Sequence, residues 1–402
     1  MSSKVFITGI GIISAIGNNV EETLSSLQKG ESGIGKLDNF SSRHRDHLAV
    51  GEIKESDDLL KTRCGVSQTS RYSRTSLLGM IAAKEAMLNA GIIDISQFRT
   101  GIVSATSVGG MGVAENHFLE YLDPDDDNKF LDYINTLDCS DSTEQIAAHL
   151  GITDYLSTIS TACSSSANAI MFGARLIKHG IVDRVIAGGT DSLSRFTING
   201  FMSLKILDEQ PCKPFDASRN GLNLGEGAGY VVLESEAAAK GKNILCELSG
   251  YGNANDAYHQ TSSSPQGKGA LAAMQKAFVV SGLSPDKIDY INAHGTGTEI
   301  NDLSEGLALR QLFGDKIPHF SSTKAYTGHT LAAAGGIEAV FSILALQHKL
   351  VFPNLNFNTP ITELEMIPAQ SLIKGVQINH VLSNSFGFGG NTSSLLFSKI
   401  TA

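Results

Sequence analysis

STACSSSANAIMFGARLI, residues Ser160–Ile177, sets a single thiol among small residues and then runs directly into an apolar pattern of helical length. The start of a helix leaves backbone N–H groups unpaired and carries partial positive charge, and both favour a thiolate over a thiol. Cys163 therefore reads as a candidate nucleophile. A lone buried cysteine is more commonly an inert packing residue, so the rest of the chain has to decide.

Working outward, short apolar runs alternate with helix-length amphipathic stretches, the pattern of an α/β protein. Strands are expected at 5–8, 100–104, 184–187, 229–233, 245–251, 289–293, 319–322, 381–384 and 393–398. Helices are expected at 73–90, 142–150, 164–179, 268–281, 302–313 and 331–350. The chain also reads as two similar halves. In the first, the Cys163 segment is followed by RVIAGGTDS and GAGYVVLE; in the second, HFSSTKAYTGHTLAAAGGIEAVFSILAL is followed by HVLSNSFGFGGNTSSLLF. Each has a polar turn, a long small-residue helix and closing strands. This predicts a duplicated unit, residues 1–240 and 241–402, whose small-residue helices pack closely at the centre.

Composition narrows the function classes. The 402 residues include 41 glycines and carry a formal net charge of −10, which suits a globular chain rich in turns and argues against a broad nucleic-acid surface. No charge-free apolar run reaches about 18 residues, so no membrane span is expected, and the N-terminus lacks a signal-peptide pattern. Five scattered cysteines without a C-x-x-C pair predict reduced thiols and a cytoplasmic location. The acidic run Leu122–Asn128 reads as a solvated loop.

Two further turns carry chemistry. NAHGTGT (Asn292–Thr298) places His294 just after a strand, and SSTKAYTGHTLAAAGG (Ser321–Gly336) places Lys324 and His329 before a helix. Loops at strand ends are where α/β proteins build sites. No metal-ligand spacing and no G-x-S-x-G elbow occurs, and in GIGIISAIG Ser14 stands where a dinucleotide fingerprint needs its third glycine.

Together STACSSS, NAHGTGT, SSTKAYTGH, NSFGFGGN and KPFDASRNGLNLGEGAGYVVLE resemble the elongating β-ketoacyl-acyl-carrier-protein synthases, over residues 3–398. The resemblance implies the thiolase-like, duplicated five-layer α/β/α/β/α sandwich. It implies decarboxylative condensation of a Cys163-bound acyl group with malonyl-acyl-carrier protein, with no cofactor. Cys163, His294, His329 and Lys324 would be catalytic. The backbone N–H groups of Cys163 and Phe388 would form an oxyanion hole, and Gly387–Gly390 a gate. Thr296, Thr298, Val108, Phe386 and Gly389 would meet substrate, and Arg63, Arg71, Arg74 and Lys205 would dock the acidic carrier. Asn292, Glu338 and Asn384 would form a polar cluster, with a monovalent cation as an option. A homodimer is expected, with a heterodimer as the lesser option and Arg184–Ala187 and Gly188–Ser192 near the interface.

Three alternative readings fit the chain less well. A silent chain-length-factor partner would lack the nucleophile that Cys163 supplies. A degradative thiolase needs a second cysteine in the C-terminal half, yet none follows Cys246. An initiating synthase would carry Asn where His329 stands. The chain departs from the family in Asn391–Thr392, whose order is reversed, in YLSTIS before the Thr-Ala-Cys, in Ser166, and across Asn116–Ser142. These departures leave open a specialised polyene, polyketide or pigment pathway, including a role as one subunit of a heterodimeric synthase.

Overall fold

The computed structural model describes residues 4–40, 42–122 and 129–400; the acidic run expected as a loop lies, from residue 123 on, outside the described residues. Ten strands form one mixed sheet: β1 (Phe6–Ser14), β2 (Thr100–Ala105), β3 (Tyr155–Ile159), β4 (Arg184–Asp191) and β5 (Gly227–Glu234), then β6 (Cys246–Asn255), β7 (Tyr290–Asn292), β8 (His319–Ser321), β9 (His380–Phe386) and β10 (Asn391–Ser398). Their order is β8-β7-β9-β10-β6-β1-β5-β4-β2-β3. Read outward from the seam between β1 and β6, both halves follow the same path of first, fifth, fourth, second and third strand. Pairing senses repeat as well, antiparallel near the seam and parallel at the rims. The seam itself is short, joining Phe6 to Glu247 and Ile7 to Cys246.

Helices fill the layers. α1 (Arg74–Asn89) covers β1 and β5 with α2 (Cys139–Leu150) beside it, and α5 (Lys268–Ser281) covers β6 and β10 with α6 (Glu299–Phe313) beside it. Between the half-sheets lie α3 (Ser165–Lys178) and α7 (Ala334–His348), in contact with each other. The strands are apolar on both faces because helices cover both faces; Val185, Ile186 and Ala187 are fully buried. Small residues permit the tight centre. A Cβ on Gly336 would sit 2.3 Å from the Gly229 carbonyl oxygen, so α7 meets β5 at backbone distance. The segment Leu331–His348 is apolar enough to cross a membrane by composition, but 89% of it is buried inside the fold. An all-round apolar helix of this kind is a core helix.

Each expected strand segment is found. A strand leading into the Cys163 segment is expected from the repeat and is found as β3, outside the ranges given above; YLSTI is short, half polar and only partly buried, as a rim strand can be. β4, which carries Arg184–Ala187, is an inner strand, hydrogen-bonded to β2 on one side and β5 on the other. The free edges belong to β3 and β8.

Candidate active site

The three turns singled out from sequence converge. β3 leads into the nucleophile turn, where Ala162 has φ +53° and Cys163 is 5% exposed. A non-glycine residue in this region is strained, and the turn is pinned by side chains. Ser165 Oγ accepts from the Thr161 N–H at 2.7 Å, and Ser164 Oγ donates to the Thr161 carbonyl at 2.8 Å and to Asn391 Oδ1 at 2.7 Å. The gate crosses directly above. A Cβ on Gly387 would lie 2.7 Å from the Thr161 oxygen and 3.1 Å from the Cys163 nitrogen, so only glycine allows this approach.

α3 begins at Ser165, which leaves Cys163 ahead of the first helical turn. The thiolate expectation is corrected accordingly. Burial pushes the Cys163 thiol up to about 11, against the pull of the Lys324 ammonium and of the backbone N–H groups of Phe388 and Cys163.

The C-terminal half supplies the imidazoles. His294 follows β7, and its turn is held from α6 by Glu305, whose carboxylate accepts from the N–H groups of His294 (2.9 Å) and Gly295 (2.8 Å) and from Asn384 Nδ2 (3.1 Å). Asp302, one turn earlier on α6, accepts from the Gly297 and Phe215 N–H groups. Burial pushes Glu305 up to about 7. Neither acid was foreseen as part of the site, although their spacing on the helix after the His294 turn was a signal.

His329 is fixed across the halves: its N–H donates to the Asn223 carbonyl at 2.7 Å, and its own carbonyl accepts from Gly225 at 2.9 Å. The two rings lie edge to face with centroids 5.4 Å apart. Lys324, 2% exposed, pairs with Glu338 and donates to His294 Nδ1 at 3.2 Å. That bond leaves Nε2 of a neutral His294 as an N–H donor. Burial, then the Lys324 charge, holds both imidazoles well below their usual range. Burial raises Glu338 to about 7 although Lys324 opposes it.

Two cavities meet at Cys163. One, of about 490 Å³, is lined by His294, His329, Thr296, Thr298, Phe386, Lys205 and Arg219, among others. The other, of about 330 Å³, is apolar and is lined by Val108, Phe196, Thr197, Gly200 and Leu331, among others. Cys163, Phe201, Leu204 and Phe388 line both, and the rings of Phe201 and Phe388 stack at 5.6 Å. Phe201 comes from α4 (Arg195–Ser203) and was not singled out from sequence.

The remaining expected residues divide. Gly389 lines neither cavity; its N–H donates to the Gln260 carbonyl at 2.7 Å and its φ of +80° shapes the gate. Asn292 reaches the Glu338 carbonyl, but Asn384 bonds Glu305, so the three polar residues do not gather around one carboxylate. Arg74 is engaged by Glu226 and Asp57, and Arg63 by Glu55 and the Asn18 carbonyl. Arg71 lies 5.9 Å from the Tyr133 ring centre. Of the four basic residues only Lys205 lines either of the two cavities that meet at Cys163.

Residues 2–239 match the beta-ketoacyl synthase N-terminal domain and residues 245–358 match the beta-ketoacyl synthase C-terminal domain. The chain is 34% identical to 3-oxoacyl-[acyl-carrier-protein] synthase 2 of Staphylococcus aureus strain N315, covering 100% of this chain and 99% of that one. It is 34% identical to the protein of the same name from Synechocystis sp., covering 98% of each. Among solved structures it resembles the ishigamide ketosynthase/chain length factor, with a TM-score of 0.93, 27% identity and full coverage of both chains. It also resembles a ketosynthase in complex with its chain length factor from Xenorhabdus doucetiae, with a TM-score of 0.87, 32% identity, and 99% and 98% coverage. With a strained thiol turn, two neutral imidazoles and a lysine around one pair of cavities, and with these matches over its whole length, the chain belongs to the β-ketoacyl synthase family of acyltransferases.

Proposed function

We propose that the protein elongates an acyl chain by decarboxylative condensation on Cys163. An acyl thioester of a carrier protein enters through the polar cavity, and its chain passes beyond Phe388 into the apolar one. The Cys163 sulfur attacks the thioester carbon, the carrier thiol leaves, and the backbone N–H groups of Cys163 and Phe388 hold the oxyanion. Because the resting thiol is neutral, its proton must move to a base as attack proceeds, and His329, whose ring is not committed to Lys324, is the base at hand and passes the proton on to the departing carrier thiolate. A malonyl thioester then binds in the polar cavity, where Thr296 and Thr298 face its arm. The C–CO2 bond breaks, CO2 departs, and the electron pair becomes an enolate that His294 and His329 stabilise as donors. The enolate carbon attacks the acyl-Cys163 carbon, and the thiolate leaves. Lys324 holds the His294 tautomer for this work. The reaction uses no cofactor and takes place in the cytoplasm.

One observation carries this reading: the thiol and both imidazoles open onto a cavity with polar lining residues that adjoins, at the stacked Phe201 and Phe388 rings, an apolar one. The test is mass spectrometry of Cys163 after incubation with acyl carrier, followed by product analysis with malonyl carrier. An unmodified thiol would reject the proposal.

A dimer is the proposed assembly, with β3 as the edge that a second subunit covers. Solved relatives that pair a ketosynthase with a chain length factor favour a second reading, in which this chain is the catalytic subunit of a heterodimer. Light scattering of the chain alone separates the two: a stable homodimer of about twice 42.6 kDa excludes an obligate heterodimer.

A further inference from the structure

We propose that Asp191 is a positioning residue that sets the width of the apolar cavity, and with it the acyl length that Cys163 accepts. The inference rests on the condensing-enzyme reading of the site. Asp191 ends β4 and is fully buried. Its carboxylate collects five neutral donors from two separate turns. From the turn after β2 come Thr106 Oγ1 (2.5 Å), the Ser107 hydroxyl (2.6 Å) and N–H (3.2 Å), and the Val108 N–H (3.4 Å). From the turn after His329 comes the Ala332 N–H, at 2.9 Å.

Both turns line the same cavity, the first through Ser107 and Val108 and the second through Leu331. Leu331 has φ +53°, a strained value for a leucine that its surroundings must enforce. The first turn is tied further, because Thr106 Oγ1 accepts from the Gly109 N–H and Thr75 donates to the Gly109 carbonyl. Asp191 thus acts as a strut between elements that are 225 residues apart in sequence, Ser107 and Ala332. A carboxylate offers about four lone-pair sites, more than any other side-chain acceptor brings to one point, and the long Ser107 and Val108 N–H contacts share them. Such bonds to a charged acceptor are stronger than neutral ones, so the separation of the walls is stiffly defined.

The test uses Asp191→Asn, which keeps shape but turns one oxygen into a donor facing N–H groups, and the milder Thr106→Val, which removes one strut bond without touching the cavity. Acylation of Cys163 is measured with carrier-bound acyl groups of increasing length, beside CO2 release from malonyl carrier. In the full-length protein Asp191→Asn should shift the preferred length and weaken kcat/KM for the wild type's best acyl group about tenfold, the scale of one charge-assisted hydrogen bond. Thr106→Val should shift the same profile by less, and malonyl decarboxylation should stay near wild type in both. If Asp191→Asn does not fold, the Thr106→Val profile alone decides. A uniform loss across all lengths and in decarboxylation, or an unchanged profile in a folded variant, would overturn the strut. Wild-type protein that takes no acyl group on Cys163 would instead overturn the condensing reading itself.

Discussion

The two halves share a topology and do different chemistry at matching places. After its third strand, the N-terminal half delivers a thiol in a three-residue strained turn; after its third strand, the C-terminal half delivers Lys324 and His329 on a longer turn. After its second strand, each half has a turn held by a buried carboxylate. In the N-terminal half Asp191 holds a cavity wall, and in the C-terminal half Glu305 holds His294. The symmetric sheet fixes where a site forms, while the length and composition of the turns decide what each half contributes. The sulfur of one half and the imidazoles of the other should therefore be separable in function.

Removing the sulfur is the most drastic test of that separation. Cys163→Ala should abolish acyl transfer, read by radiolabelled acyl incorporation, and should still release CO2 from malonyl carrier. Loss of both would mean that the halves act as one unit. The converse variant, His294→Ala, should still acylate Cys163 while decarboxylation falls about 10²-fold or more, the scale of one lost oxyanion donor. Normal CO2 release would leave His329 as the sole donor.

The support behind the imidazoles comes next. Glu338→Gln strands a buried ammonium and should cost about 3 kcal/mol in denaturant unfolding. Lys324→Met should cost less, because Glu338, already raised to about 7, takes up a proton when its partner is gone. Lys324→Met should also slow both half-reactions by freeing the His294 ring. Equal destabilisation by the two variants would argue against this asymmetry.

Proton linkage sharpens the contrast at smaller amplitude. Both imidazoles titrate well below 6.5 in the folded protein. They stay neutral there while the unfolded chain gains protons, so their contribution to stability is complete above pH 6.5 and shrinks as pH falls below it. Malonyl decarboxylation should accordingly keep its rate through pH 6.5, with its acid limb lower. In Lys324→Met the limb should move up, since the lysine charge is one cause of the depression. A wild-type limb centred at 6.5 would show ordinary, solvated imidazoles.

The smallest expected effect separates surface from scaffold. Lys205→Glu should raise KM for the carrier a few-fold in a salt-dependent way and leave a small thioester mimic unaffected. Arg74→Ala should lower the unfolding midpoint with no specific change in carrier KM, because its guanidinium is committed to Glu226 and Asp57. Matching effects of the two on carrier KM would return Arg74 to the docking surface.

The sequence by itself determined the alternation of strands and helices, the internal repeat, and the reactive turns, because hydrophobic period and glycine-rich strand ends are local signals. Cys163, His294, Lys324 and His329 were legible for that reason. Only the tertiary structure set the surroundings of the titratable groups. Helix-start reasoning favoured a thiolate, yet Cys163 sits ahead of the first turn of α3 and burial outweighs the nearby charge, so the thiol is neutral at rest. Arg74 looked like surface in sequence, and only the packing revealed its carboxylate partners. Asp191, Glu305 and Phe201 act through neighbours tens to hundreds of residues away, such as Ala332 for Asp191. The bounds of the rim strand β3 were not legible because half its side chains are polar, which an edge tolerates and a core does not. Burial and long-range pairing arise when distant segments close around a group, and no local stretch of chain encodes them alone.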